Sequence, residues 1–308
     1  VLISRVAQRP LSPVAAPMRE GGMALIALAT VADTPVTTVT QDRRIVAMRE
    51  PGLGELYEHF QRATARAAQL VAEQQLHVVT DRAGLADAVA RRRGPAVVMA
   101  SEGADFLEGN LGRVEEAFAR HRLRHLQLTH YRVNELGDIQ TADPVHDGLS
   151  DFGAQVIREC NRLGIVVDIA HGTEALVRRA AMTTTKPLVL SHTSLTARPG
   201  RYSRQVSADH ARRVSGTGGV IGVWPPVTIF ADLTAFSAGI ARLVDVVGID
   251  HVGIGTDMLG LLSAAVFEDY RATPAVAQAL LSRGFSTAEA SAILGGNYAR
   301  VLAQVLPA

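Results

Sequence analysis

The feature that most limits what this chain can become is a recurrence of short, unbroken apolar runs, each followed by a longer amphipathic stretch. The runs are Val1–Ser4, Met23–Thr30, Ala96–Ala100, His125–Thr129, Ile165–Ile169, Leu188–Ser191, Gly219–Val223 and Val252–Gly255. They are rich in Val, Ile and Leu and do not alternate with polar residues, the pattern of strands covered on both faces. Eight such runs, most of them separated by helix-like segments, predict a closed parallel α/β barrel of the (β/α)8 (TIM) type. His77–Thr80 adds a short extra strand within the long second crossover. A length of 308 residues suits one such barrel, and a hydrophobic content of 47% supplies its core. Residues 1–308 are therefore expected to form one domain.

Several helix starts are readable. Asp81, Ser150 and Ser207 each stand where a side-chain oxygen can cap a following amphipathic segment. Three late helices are expected near Pro274–Arg283, Thr287–Leu294 and Asn297–Val305, over the outer wall. Thr196–Arg204 (TARPGRYSR) reads as an irregular loop with Pro199 and Gly200 as turn residues, and Pro35–Glu50 as a second loop. No internal repeat and no low-complexity tract interrupts this plan.

Composition excludes several functions. Lys+Arg 31 against Asp+Glu 30 gives a net charge of +1, without the basic excess that marks nucleic-acid or anionic-membrane binding. No apolar run reaches the roughly 20 residues needed to cross a bilayer. The one cysteine, Cys160, rules out a disulfide scaffold, and its place inside a helical segment predicts an inert packed thiol. Phosphate-loop and nucleophile-elbow motifs are absent, and the Gly-rich pieces GTGGVIG and ILGGN read as tight backbone packing. The chain begins with Val1 rather than Met, which leaves room for an upstream signal or barrel piece, so cytoplasmic and exported locations both fit.

The chemistry is expected where the strands end, because barrel enzymes work at the C-terminal mouth. AVVMAS runs into Glu102, HLQLT into His130, IVVDIA into His171, LVLS into His192 and VGIGT into Asp257. Taken singly, each has an ordinary explanation as a hydrogen-bonded strand-end histidine or a helix-capping aspartate. Five at one depth in a closed ring converge on one mouth. Two histidines and one glutamate are ligand types that zinc prefers, with a position left for water. Asp257 then stands as general acid or base. Asp168 either orients a ligand or is a buried hydrogen-bonded carboxylate, and both readings stay open.

At this point the residues resemble a known family. SEGADFLEG (Ser101–Gly109), LQLTHYRVN (Leu126–Asn134), GLSDFG (Gly148–Gly153), VDIAH (Val167–His171), LSHTS (Leu190–Ser194), GGVIGV (Gly218–Val223), HVGIGTD (His251–Asp257) and ILGGNYARVL (Ile293–Leu302) are similar to segments of the membrane (renal) dipeptidases of the amidohydrolase superfamily. REGGMALIALATV (Arg19–Val31) resembles their second strand. The resemblance implies a zinc-dependent dipeptidase that hydrolyses a dipeptide or similar small amide through a metal-bound hydroxide, and whose members are often homodimers. Glu102 then matches the carboxylate that bridges two zinc ions, and His171 and His192 match the ligands of the second. His130 matches the residue that contacts substrate and polarises the scissile carbonyl. Asp257 matches the catalytic acid/base. Arg204, in SRQVSAD, matches the arginine that grips the substrate carboxylate, with Arg198 and Arg201 as further candidates.

Two positions depart from the family pattern. Its His-x-Asp pair at the end of the first strand completes the first metal site, and here no histidine precedes His59. One or two zinc ions are therefore expected. Leu259 stands where a second aspartate is common. Two alternatives follow from the same residues: hydrolysis of another amide, lactone or N-acyl substrate, and a non-catalytic barrel that has lost its first metal site.

Overall fold

The computed structural model describes residues 13–92 and 94–308. In chain order the strands are β1 (Leu25–Val31), β2 (Thr37–Val39), β3 (Ile45–Ala47), β4 (His77–Val78), β5 (Ala96–Glu102), β6 (Leu123–Gln127), β7 (Val166–Asp168), β8 (Val189–Thr193), β9 (Val220–Val223) and β10 (Val252–Ile254). The helices are α1 (Ala15–Glu20), α2 (Glu55–Glu73), α3 (Arg82–Val89), α4 (Gly112–Arg120), α5 (Asp151–Leu163), α6 (Glu174–Thr183), α7 (Ala208–Ser215), α8 (Leu233–Val247), α9 (Thr273–Ser282), α10 (Thr287–Ser291) and α11 (Asn297–Val305).

Seven strands form one curled parallel sheet in the order β1-β5-β6-β7-β8-β9-β10. This is the wall of a TIM-type barrel with its helices outside. Short β4, the extra strand expected in the second crossover, pairs with the start of β5. The strand expected at Val1–Ser4 lies outside the described residues, and among those described no strand joins β1 to β10. Helix and strand side chains interlock in one large cluster that runs from Phe60 and Phe106 through Leu126, Val167 and Leu190 to Ile240 and Ile293. Burial of this apolar surface is the main term holding the wall together.

The expected caps are present. Asp81, Ser150 and Ser207 accept the backbone N–H groups of Gly84, Gly153 and His210, and Ser286 with Glu289 forms a full capping box before α10. Cys160 is fully buried on α5, and burial pushes its thiol pKa up, which leaves it inert.

Four expectations are corrected. Pro35–Glu50 is not all loop: Thr34–Val36 makes a 3-10 turn, and β2 and β3 pair antiparallel as a hairpin. β6 begins two residues early, because Arg124 sits within it as a buried residue. Its guanidinium stacks 3.7 Å over the Phe118 ring and donates to the carbonyls of Thr80, Phe118 and Leu123. The nineteen-residue α2 was not foreseen, because the middle of its buried stripe is alanine and threonine, at Ala63, Thr64 and Ala67. The helix expected over Thr287–Leu294 ends at Ser291, and a π turn over Ala292–Gly296 leads into α11.

The glycines near the mouth are packed against backbone. A Cβ at Gly222 or Gly255 would lie 1.9 or 1.8 Å from the Ser191 carbonyl oxygen. These two glycines let β8, β9 and β10 approach where His192 leaves the wall. Gly255→Ala should therefore overpack this seam and destabilise the protein by about 1–3 kcal/mol, read as a lower urea midpoint.

Candidate metal centre

Glu102 is the last residue of β5 and is 4% exposed. Its Oε1 lies 3.5 Å from Nε2 of each of three histidines: His130 beyond β6, His171 beyond β7 and His192 within β8. The Nε2 atoms of His171 and His192 are 3.0 Å apart. Ligand atoms of Glu102, His171 and His192 all lie within 4.8 Å of one another, and all three residues are buried. The parallel strands place them there: each residue stands at or just past the C-terminal end of its strand, so the side chains meet at one depth. His171 is turned inward by a left-handed backbone conformation, with φ 69°. The β8 ladder slips register between Leu190 and Thr193, at the position of His192.

Two imidazole nitrogens facing each other at 3.0 Å share one hydrogen at most when both rings are neutral. Burial drives the pKa of His171 well below its ordinary value and that of His192 to about 4, so both rings are neutral at pH 7. Glu102 Oε2 has no hydrogen-bond partner among the described residues. Lone pairs and a carboxylate oxygen aimed at one point, with a buried acceptor left over, fit a divalent cation.

His130 is different. Its Nδ1 lies 2.7 Å from Asp33 Oδ1, and Asp33 Oδ2 accepts the Tyr131 backbone N–H at 2.9 Å. Burial lowers the His130 pKa, but the charges of Asp33 and Glu102 outweigh it and raise the value to about 9. A protonated ring is a hydrogen-bond donor rather than a ligand. Asp257, beyond β10, also has a left-handed backbone, with φ 43°. It lines a cavity of about 250 Å³ together with Glu102, His130, Tyr131 and His171, and the β2–β3 hairpin covers one side through Thr38, Val39 and Ile45. Burial, and then the charge of Glu102, raise the Asp257 pKa to about 7, which suits proton transfer near neutral pH.

Arg204 donates through Nη1 to Gln140 Oε1, and its guanidinium lies 5.6 Å from the Trp224 ring centre. Among the described residues its buried Nε and Nη2 have no hydrogen-bond partner, which leaves donors for an anion. Arg201 instead pairs on the surface with Asp143, and Arg198 is exposed. Asp168 makes no hydrogen bond to the ring of His171 or His192. It accepts the backbone N–H groups of Ala170 and Ser191 and faces His125 Nε2.

The sequence profile of the membrane dipeptidases, peptidase family M19, matches residues 35–307. The chain belongs to that family. Dipeptidase tcpJ of Claviceps purpurea is 33% identical over 219 residues, which are 68% of this chain and 51% of that protein. The chain spans about half the length of the dipeptidases it matches in sequence. Two solved structures share the fold. The probable dipeptidase PvdM of Pseudomonas aeruginosa superposes with a TM-score of 0.79 at 18% identity, over 94% of this chain and 88% of that one. A metallopeptidase of Rhodobacter sphaeroides, liganded with a phosphinate mimic of the dipeptide L-Ala-D-Ala, gives 0.78 at 19% identity, over 94% and 89%.

In this membrane dipeptidase family member, sequence reasoning missed Asp33. The signal was available: Asp33 closely follows β1, as Glu102, His171 and Asp257 end or follow theirs, and the same strand-end rule applies to it. Asp33 is fully buried and holds both a charged ring and a backbone N–H. Asp33→Ala leaves those two donors unpartnered, at roughly 1–3 kcal/mol for each. A loss of about 2–4 kcal/mol in chemical denaturation is expected.

Proposed function

We propose that this chain is a zinc-dependent dipeptidase, cleaving the amide of a dipeptide or a similar small substrate. The observation that carries the reading is the meeting of Glu102 Oε1 with three histidine Nε2 atoms at 3.5 Å, beside the cavity that Glu102, His130, His171 and Asp257 line. Glu102, His171 and His192 would hold the cation. A divalent ion there would supply Lewis acidity and lower the pKa of a nearby water. His130, fixed by Asp33, donates to the carbonyl oxygen as negative charge develops on it. Asp257 takes a proton from the attacking water and delivers one to the leaving amine. Arg204 uses its Nε and Nη2, which have no partner among the described residues, to pair with the substrate carboxylate. The ligand named for the Rhodobacter sphaeroides relative supports a dipeptide-sized substrate.

Purified protein supplemented with zinc and then desalted should retain about one equivalent per chain and cleave dipeptides, and a chelator should abolish turnover until zinc is returned. Asp257→Asn should keep its metal yet lose on the order of 10²–10⁴-fold in kcat. A metal content below about 0.2 per chain, for a site closed by several ligands, together with no cleavage, would overturn the assignment.

The arginine is tested separately. Loss of a charged hydrogen bond of about 1.5–3 kcal/mol predicts that Arg204→Met raises KM roughly 10- to 150-fold for dipeptides with a free carboxylate. C-terminally amidated analogues should be unaffected. Equal effects on both substrate sets would remove Arg204 from carboxylate binding.

A further inference from the structure

A buried polar column runs below the ligands, and the chemistry described above leaves it unused. α11 is docked at the start of β10, where Asn297 Nδ2 donates to the carbonyls of Ile249 and Val252 at 2.7 and 2.8 Å. Its next residue, Tyr298, places its hydroxyl 2.7 Å from His125 Nδ1. His125 Nε2 lies 3.1 Å from Asp168 Oδ2. Asp168 Oδ1 accepts the N–H groups of Ala170 at 2.9 Å and Ser191 at 3.0 Å. His125 and Asp168 are 4% and 2% exposed.

With a neutral His125 ring, the hydrogens in this column have one consistent arrangement. Burial, and then the charge of Asp168, raise the Tyr298 pKa, so the phenol keeps its proton. The hydroxyl donates to Nδ1, which leaves the His125 hydrogen on Nε2, where it donates to the Asp168 carboxylate. The opposite tautomer would aim a lone pair at that carboxylate.

The column ends at the two residues that immediately precede His171 and His192. The ordinary sheet ladder is thin there. β7 and β8 are in register at one pair only, Asp168 with Val189, and β8 then slips against β9. One carboxylate therefore ties together two strand ends that the backbone ladder leaves loosely joined.

We propose that Tyr298, His125 and Asp168 are positioning residues, a relay from the C-terminal helix that sets the spacing of the His171 and His192 rings and with it the affinity of the cation site. The proposal rests on the reading of those two histidines as ligands. It differs from a purely structural role in what it moves: metal affinity and coordination geometry, beyond any change in stability.

The test uses the full chain, wild type, Tyr298→Phe and His125→Leu. Zinc Kd is measured by chelator competition, the visible absorption of the cobalt-loaded protein reports ligand geometry, and the melting temperature of the metal-free protein controls for folding. Removal of a partner that orients ligands costs about 10–100-fold in metal affinity. Tyr298→Phe, which keeps the ring and its packing, should weaken zinc binding by about tenfold at the low end of that range and shift the cobalt bands. The metal-free melting temperature should stay near that of wild type. His125→Leu should lie toward the upper end. Wild-type zinc affinity and an unchanged cobalt spectrum in Tyr298→Phe overturn the relay, whatever the melting temperature and even where His125→Leu fails to fold. A wild-type protein that binds neither zinc nor cobalt overturns the ligand reading itself, and the two failures are told apart by which protein shows them.

Discussion

Taking the Glu102 carboxylate out of water at the end of β5 costs several kcal/mol unless positive charge or hydrogen-bond donors surround it. The barrel answers with three imidazoles at 3.5 Å from one of its oxygens. Burial pushes the Glu102 pKa up, and the neighbouring positive charges, protonated His130 first and Arg204 with it, leave it lowered. The carboxylate is thus anionic in a place where an isolated one would be neutral. That single condition divides the histidines. His130 has Asp33 behind it and stays protonated, whereas His171 and His192 have no such carboxylate on the ring and are neutral. The same residue type stands as a charged donor or as a neutral ring according to what stands behind it.

Holding these groups together strains the backbone locally. His171 and Asp257, both non-glycine, adopt left-handed φ angles at the ends of their strands, a conformation that costs of order 1–3 kcal/mol. Gly222 and Gly255 meet the Ser191 carbonyl where any side chain would collide. These strained and closely packed residues stand at the mouth, and a large apolar cluster packs the strands against the helices. The stability that tolerates the strained turns comes from the outer layer.

The wall of the barrel was legible because strands buried on both faces have no alternation to obscure them, and Ala96–Glu102 is buried at every position. The five strand-end residues were legible for a related reason: a charged or ring-nitrogen group directly after an apolar run has few places to go but the mouth. Features carried by long-range partners were not. Arg124 reads as a strand breaker until Phe118 and three carbonyls are seen around it. The hairpin at Thr37–Ala47 has three-residue strands, too short to show a period. The exact contact of Asp168 could not be chosen from sequence, since a carboxylate three residues before a ligand reaches a ring or a backbone N–H equally well.

The interior of this barrel explains why its mouth can be so polar. TIM barrels are ordinarily filled by layers of bulky branched side chains. Here Ala27, Ala29, Ala100, Gly222, Gly253 and Gly255 line the interior cavity alongside His125, Gln127 and Asp168. Small residues on β1, β9 and β10 leave room, and the polar ones on β6 and β7 use it. An apolar filling would have packed more tightly, but it offers no acceptor for the Ala170 and Ser191 N–H groups at the point where the β7–β8 ladder thins. Polar residues inside the barrel therefore follow from the same constraint as the histidines above them: strands that end by turning histidines inward give up backbone pairing, and buried side chains must replace it.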